Sequence, residues 1–300
     1  MLVHPGRLFL KQNNSTIDGP EDLGRYATFL LCEAGTDSEP PINLTAIYER
    51  FGLPLPRRVS LPGQQGLLLD PEAGLILIEE SDHAMRQRFT EAHELMELLF
   101  AVVPTKPSSS ARDVGKFRYH TKERLCNAGA AALLMPANTF LPRVKHLGVS
   151  FETARVLANE YEVSLSAALI RMATIGPGIH AVVLWRMKNK PSEVKSQVPE
   201  QQMALLEVAP VKIASPKLRV EWSFTGSLSH FIPQDKSVPE TSFIYSTWHT
   251  RSFSAGNDRL DLGSMRGITY SENLPFEAEA EWQVLSLLHL PGDVDCEGQR

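Results

Sequence analysis

The first half of the chain is patterned for helices. Between Glu21 and Ala34 apolar residues return at Leu23, Tyr26, Ala27, Leu30 and Leu31, the spacing of one helical face, and Gly35 follows as a stop. Ile42 to Phe51 repeats the pattern on a shorter scale, with Asn43 placed as an N-cap and Gly52 as terminator, and Gly35 to Pro41 is the loop between the two. A third helix is predicted over Arg88 to Phe100, where Phe89, Ala92, Leu95, Met96 and Leu99 are apolar and neither Gly nor Pro interrupts. Lys122 to Met135 reads as a fourth, ended by Pro136 and rich in small residues that would let a neighbouring helix come close. Glu152 to Glu160 and Leu165 to Ile175 are two shorter helical patterns joined around Tyr161-Glu162-Val163-Ser164.

From Gly66 to Glu80 the pattern differs. Leu67 to Leu69 and Leu75 to Ile78 flank the turn-forming Asp70-Pro71-Glu72-Ala73-Gly74, which predicts a hairpin leading into the third helix. Met1 to Pro20 reads as a poorly ordered arm or short capping segment, and Pro104 to Arg112, rich in Pro and Ser, as a mobile loop. Beyond Gly176 come short apolar or aromatic runs separated by Gly, Pro, Ser and Asn: Ala181 to Met187, Leu205 to Ala209, Leu218 to Phe224, Phe243 to Trp248, Arg259 to Leu262 and Trp282 to Leu290. These are expected to be strands, with the polar Lys188 to Gln202 as a flexible connection. The fold class expected is α+β. An arm over 1–20 precedes a mainly helical domain with a small hairpin or sheet over 21–148, a helical pair over 149–177 and a β-rich domain over 178–300.

Three hundred residues suffice for two modest domains, and the formal net charge of −5 gives no broad electrostatic footprint for nucleic acid. No apolar run approaches the ~18 residues that span a bilayer. Arg7, Lys11 and two Asn break up the N-terminal segment, so a signal-peptide core is absent and a cytoplasmic location without membrane attachment is expected. The three cysteines, Cys32, Cys126 and Cys296, are odd in number and irregular in spacing, which fits reduced thiols better than a disulfide framework. Cys296, in a polar tail, is expected to be inert.

Candidate chemistry gathers on the third and fourth helices. His93 and Glu97 stand one turn apart, about 6 Å along the axis on one face, and could hold an ion between them, with Glu94 beside them to poise a water. This is the zinc-hydrolase pattern H-E-x-x-H with glutamate in the second histidine's place. By itself, H-E-x-x-E also fits a charged stripe on a solvated helix. On the fourth helix Glu123 lies one turn from Asn127 and could present a third ligand, with His120 and Cys126 three residues to either side.

Two motifs together are specific. Arg-Gln-Arg-Phe-Thr-x-Ala-His-Glu-Leu, followed some thirty residues later by Glu-x-x-Cys-Asn-x-x-Ala-Ala-x-Leu-Leu-Met-Pro, resembles the ImmA/IrrE family of metallopeptidases, over roughly Pro41 to Gly176. The resemblance implies a zincin-like peptidase domain. It places metal ligation on His93, on Glu97 in place of histidine and on Glu123, and the catalytic base on Glu94. It also implies a protein substrate, since members cleave helix-turn-helix repressors and so release stress-response or mobile-element genes. One imidazole and two carboxylates form a harder donor set than two imidazoles, so manganese becomes an alternative to zinc. Two carboxylates neutralise a dication fully, which should leave a bound water less acidic and hydrolysis slower.

The pair over Phe151 to Ile175 looks like a helix-turn-helix. Its candidate recognition helix, Ser164 to Met172, offers a single Arg to phosphates or base edges, so packing is favoured over DNA binding. Some members end in a domain resembling the GAF sensor fold, and the C-terminal region has suitable length. His230, His249 and His289 are read as surface or satisfied core residues. The sequence thus supports a metallopeptidase cutting a regulatory protein and, alternatively, an inactive descendant that regulates by binding a partner or DNA.

Overall fold

The computed structural model describes residues 2–13, 17, 19–103, 113–195, 215–226 and 230–290, with 113–120 and 194–195 described by their backbone alone. The loop expected over Pro104–Arg112, the run Leu205–Ala209, Cys296 and the side chains of Tyr119 and His120 lie outside the described residues. The chain divides into two compact units, Met1–Gly148 with Glu152–Arg171, and Val149–Phe151 with Met172–Arg300. Most of the helical pair that was expected as a separate piece over 149–177 therefore groups with the first unit.

In the first unit α1 (Pro5–Asn13), α2 (Pro20–Glu33) and α3 (Leu44–Phe51) precede a small sheet of β1 (Arg57–Val59), β2 (Gly66–Asp70) and β3 (Leu75–Glu79). Then come α4 (Ala84–Val102), α5 (Asp113–Leu134), α6 (Ala137–Leu147), α7 (Phe151–Tyr161) and α8 (Leu165–Ile175). The segment expected as an arm holds α1. Phe9 is buried with its ring 5.2 Å from that of Tyr26. Gly6 lets α1 approach α4 so closely that an added Cβ would lie 2.9 Å from the Leu98 carbonyl oxygen. One large inward residue in nine leaves little periodicity to read, which is why the sequence pattern does not announce this helix.

The helices predicted from apolar spacing form where expected. Gly52 ends α3 with φ +66°, a left-handed conformation that a side chain disfavours. Leu23, Tyr26, Leu30, Ile47, Leu95, Met96, Leu99 and Leu133 are fully buried and make the core under the site. The small residues of α5 act as anticipated, since a Cβ added at Gly129 would lie 2.6 Å from Met96 Sδ and 3.0 Å from Leu23 Cβ. The predicted hairpin is β2 and β3, paired antiparallel. β1 adds in parallel on the other side of β3, giving the order β1-β3-β2. β2 is therefore an edge strand, and it leaves Leu67 and Leu69 exposed.

The second unit holds β4 (Ile179–Lys188), the short α9 (Pro191–Lys195), β5 (Lys217–Thr225), α10 (Phe243–Thr250), β6 (Ser254–Leu262), β7 (Met265–Ala278) and β8 (Glu281–Leu290). The strands form one sheet in the order β5-β4-β8-β7-β6, each neighbour antiparallel. Trp185, Val183, Val220, Leu260 and Leu288 are buried in its core. Phe243 to Trp248, expected as a strand from its aromatic content, is instead α10. The Ser242 side chain caps it by accepting from the Tyr245 N–H, and Ile244 and Thr247, three residues apart, are both buried. β7 escaped prediction because Gly267 and Pro275 interrupt it. Pro275 lies beyond the pairing with β6, which reaches only Asn273, so that β7 has a single strand neighbour there, β8, with Pro275 opposite Val284. The chain is α+β, as expected.

Candidate metal centre

The hairpin and α4 are tied together before the site begins. The Gln87 amide, on the first turns of α4, donates to the carbonyls of Glu79 and Asp82, while its oxygen accepts from Arg58 Nε at 2.8 Å. Arg88 donates to the Ile42 carbonyl, which anchors the same turn to the chain before α3. The turn that follows carries His93, Glu94 and Glu97 against α5, which is brought close by Gly129.

His93 Nδ1 lies 3.0 Å from Asn127 Oδ1. With the amide oxygen accepting, the imidazole donates from Nδ1 and turns the lone pair of Nε2 inward. That lone pair meets Glu123 Oε2 at 3.6 Å and Glu97 Oε1 at 3.9 Å. Cys126 is fully buried on the same face of α5, and the donor atoms of His93, Glu97 and Cys126 all lie within 4.8 Å of one another. Of the residues singled out from sequence, His93, Glu97 and Glu123 are thus brought together, and Cys126 joins them.

The two separations from His93 Nε2 come within a few tenths of an ångström of those around a shared ion. Bonds of about 2.0–2.2 Å to nitrogen and oxygen in tetrahedral geometry put ligand atoms roughly 3.3–3.6 Å apart. With a neutral ring donating from Nδ1, Nε2 and the two carboxylate oxygens are all acceptors, and a cation among them would offset their mutual repulsion.

Sequence reasoning did not identify Lys122 as part of the site. Its ammonium lies 2.8 Å from Glu97 Oε1, the oxygen that also faces His93. Burial pulls the Lys122 pKa down, but the hydrogen bond and charge of Glu97, with Cys126 and Glu123 adding, outweigh it and raise the pKa above its usual value. Its position next to Glu123 on α5 was the available signal, since the second histidine's replacement by a carboxylate calls for a compensating charge nearby.

Glu94 reaches toward β2 while staying near enough to Glu97, Lys122 and Glu123 to feel their charges. It is 6% exposed, and burial first, then the charge of Glu97, drive its pKa up to about 8 against the opposing pull of Lys122. The charge of Glu123 adds to the rise, and the backbone N–H of Leu68 on β2 donates to the carboxylate and partly offsets it. Gly66 at the start of β2 leaves the room Glu94 occupies, because an added Cβ would lie 2.8 Å from Glu94 Oε1. Cys126 is raised strongly, again chiefly by burial and then by Glu97, so the free thiol keeps its proton.

The helical pair makes no comparable constellation. Arg171, the one cation of the candidate recognition helix, is buried and donates to the Met135 carbonyl at 3.0 Å. His289 in the second unit faces Glu272 Oε1 at 3.4 Å. No helix among the described residues is long and apolar enough to cross a membrane.

Comparison with known proteins places these motifs. Residues 49–173 match the family described as the IrrE N-terminal-like domain, a peptidase family. Two relatives are each named radiation response metalloprotease IrrE. The one from Deinococcus deserti is 37% identical over 123 residues, covering 40% of this chain and 44% of the relative. The one from Deinococcus radiodurans is 35% identical over 117 residues, covering 38% and 35%. The matched stretch spans less than half the length of these relatives. A solved structure of a Mycobacterium tuberculosis transcriptional regulator is alike in fold, with TM-score 0.58 over 96% of this chain and 80% of that one at 13% identity.

Proposed function

Because residues 49–173 form a domain of the ImmA/IrrE family of metallopeptidases, we propose that the chain is a metal-dependent endopeptidase that cuts a regulatory protein, with a helix-turn-helix repressor as the substrate the family suggests. The observation that carries this reading is the inward lone pair of His93 Nε2 facing the carboxylates of Glu123 and Glu97 at 3.6 and 3.9 Å. His93, Glu97 and Glu123 would hold a divalent ion, zinc or manganese. Such an ion supplies Lewis-acid polarisation of the scissile carbonyl and lowers the pKa of water.

The protein's own groups do the rest. Asn127 fixes the ring of His93. Glu94 accepts a proton from the attacking water and passes it to the leaving amide nitrogen, a role suited to a carboxylate walled off from solvent. β2, an exposed edge whose Leu68 N–H already reaches Glu94, would pair with an extended stretch of substrate, and Leu67 and Leu69 would meet its side chains. The second unit is read as a sensing module. In its support, an open cavity of about 820 Å³ is lined by Lys217, Tyr245, Arg259 and Arg266, among others.

One observation favours a second reading. Lys122 already places a positive charge on Glu97, so the site can meet part of its charge requirement without an ion, as an inactive partner-binding descendant would. DNA binding gains no support, since Arg171 is spent inside the first unit. The test is to load the purified chain with zinc or manganese, measure bound metal, and follow cleavage of a candidate repressor by wild type and Glu94→Gln. Glu94→Gln should keep the metal and lose about 10²–10⁴ in rate. No bound metal and no cleavage by wild type, with regulation in cells unaffected by the substitution, would leave the binding-only reading.

A further inference from the structure

The donor atoms that cluster most tightly are not the three that the motif supplies. Among the described residues, the group whose ligand atoms all lie within 4.8 Å of one another is His93, Glu97 and Cys126. We propose that the Cys126 thiolate is itself a ligand of the ion at this site, an inference that rests on the metal-dependent reading above.

Three features of the two helices support it. Cys126 and Asn127 are successive residues of α5, and Asn127 accepts from His93 Nδ1, so the backbone that orients the imidazole also sets the sulfur beside it. Cys126 follows Glu123 by three residues, so both point from one face of α5 toward α4. The sulfur is fully buried, yet its neighbours include carboxylates as well as apolar core; a thiol serving only as a small hydrophobe would be expected among apolar groups alone. When an ion binds, the S–H bond breaks, the proton leaves to solvent and a sulfur–metal bond forms, with no change of oxidation state. Glu123, at 3.6 Å from His93 Nε2, remains close enough to bind alongside or to hydrogen-bond a water.

The consequence is a reversal of metal preference. A carboxylate-rich set would suit a hard ion such as manganese, whereas a thiolate brings in a soft donor that selects zinc.

Cobalt(II) titration of the full chain tests this without reference to activity. Wild type should develop an intense near-ultraviolet sulfur-to-cobalt charge-transfer band as one equivalent binds. The same band should persist in Cys32→Ser/Cys296→Ser, in which Cys126 is the one thiol left of three. That double variant leaves the site untouched, so misfolding at the centre cannot blur the result. Cys126→Ser should abolish the band and weaken zinc binding by about tenfold or more, with a smaller effect on manganese. Bound cobalt with d–d bands alone would overturn thiolate ligation and leave the metallopeptidase reading standing. A band lost in the double variant would assign the sulfur elsewhere and overturn it too. Failure to bind cobalt, zinc or manganese at all would overturn both.

Discussion

Glu94 offers a quantitative test through the stability of the metal-stripped protein. Its pKa rises from 4.5 to about 8, first through burial and then through Glu97, with Lys122 and the Leu68 N–H opposing. The folded chain therefore keeps a proton that the unfolded chain releases. Below the unfolded value of 4.5 both states hold it and Glu94 makes no difference. As pH climbs from there toward about 8 the unfolded state is progressively favoured, and above that the full penalty of a buried charge remains. At about 1.4 kcal/mol per pKa unit the loss is at most about 5 kcal/mol, and relaxation around the carboxylate brings it to an expected ~2–5 kcal/mol. Glu94→Gln cannot ionise and escapes the loss. Urea unfolding of both chelator-treated proteins at about pH 5 and about pH 8.5 should show the variant gaining on wild type as pH rises, by that amount. Parallel pH profiles would mean that Glu94 is ionised in the stripped fold, and the account of its environment would be wrong.

Lys122→Met removes the ammonium 2.8 Å from Glu97 Oε1 and should tighten zinc binding. The pair is partly solvent-exposed, worth about 0.2–1 kcal/mol, so the gain is at most about fivefold in Kd, read by competition with a chromophoric chelator. Weaker binding would mean that the ammonium supports the loaded site. Gly66→Ala puts a methyl group 2.8 Å from Glu94 Oε1 and closer still to Thr90, so β2 must shift. A loss of about 1–3 kcal/mol in urea unfolding is expected, with slower peptide cleavage as β2 moves off Glu94. Metal uptake at about pH 7 should release protons from both Glu94 and Cys126, seen calorimetrically as a heat that varies with the ionisation enthalpy of the buffer. Uptake with no proton release would exclude both sources.

The elements that carry the site were legible because their sequence signals are local. Apolar spacing at Leu95, Met96 and Leu99 predicts α4, the turn residues Asp70 to Gly74 predict the hairpin, and one-turn spacing pairs His93 with Glu97. What escaped depends on partners far away in sequence. β1 is a strand only because β3 lies alongside it, β7 runs on through Pro275 where β8 is its one strand neighbour, and α10 shows in the Ser242 cap more than in its aromatic composition. The same division holds within the site. Helix spacing relates His93 to Glu97 on α4 and Glu123 to Asn127 on α5, whereas the approach of Glu123 to His93, of Lys122 to Glu97 and of Leu68 to Glu94 joins residues on separate elements.

Glutamate in place of the second histidine changes the charge of this site while keeping a donor one turn from His93. Without an ion, the proton on Glu94, the proton on Cys126 and the ammonium of Lys122 together limit the negative charge that Glu97 and Glu123 bring to a poorly solvated space. A dication that displaces the two protons, from Glu94 and from Cys126, leaves the net charge of the cluster unchanged. On this accounting the loaded and stripped states would carry the same net charge at the cluster. They differ in what Glu94 can do. In the stripped state its carboxyl holds a proton up to about pH 8 and cannot accept another from water at neutral pH. On the reading proposed above, with Glu94 as the base, binding of an ion would free its carboxylate to accept a proton near neutrality, which ties the proposed hydrolysis to loading.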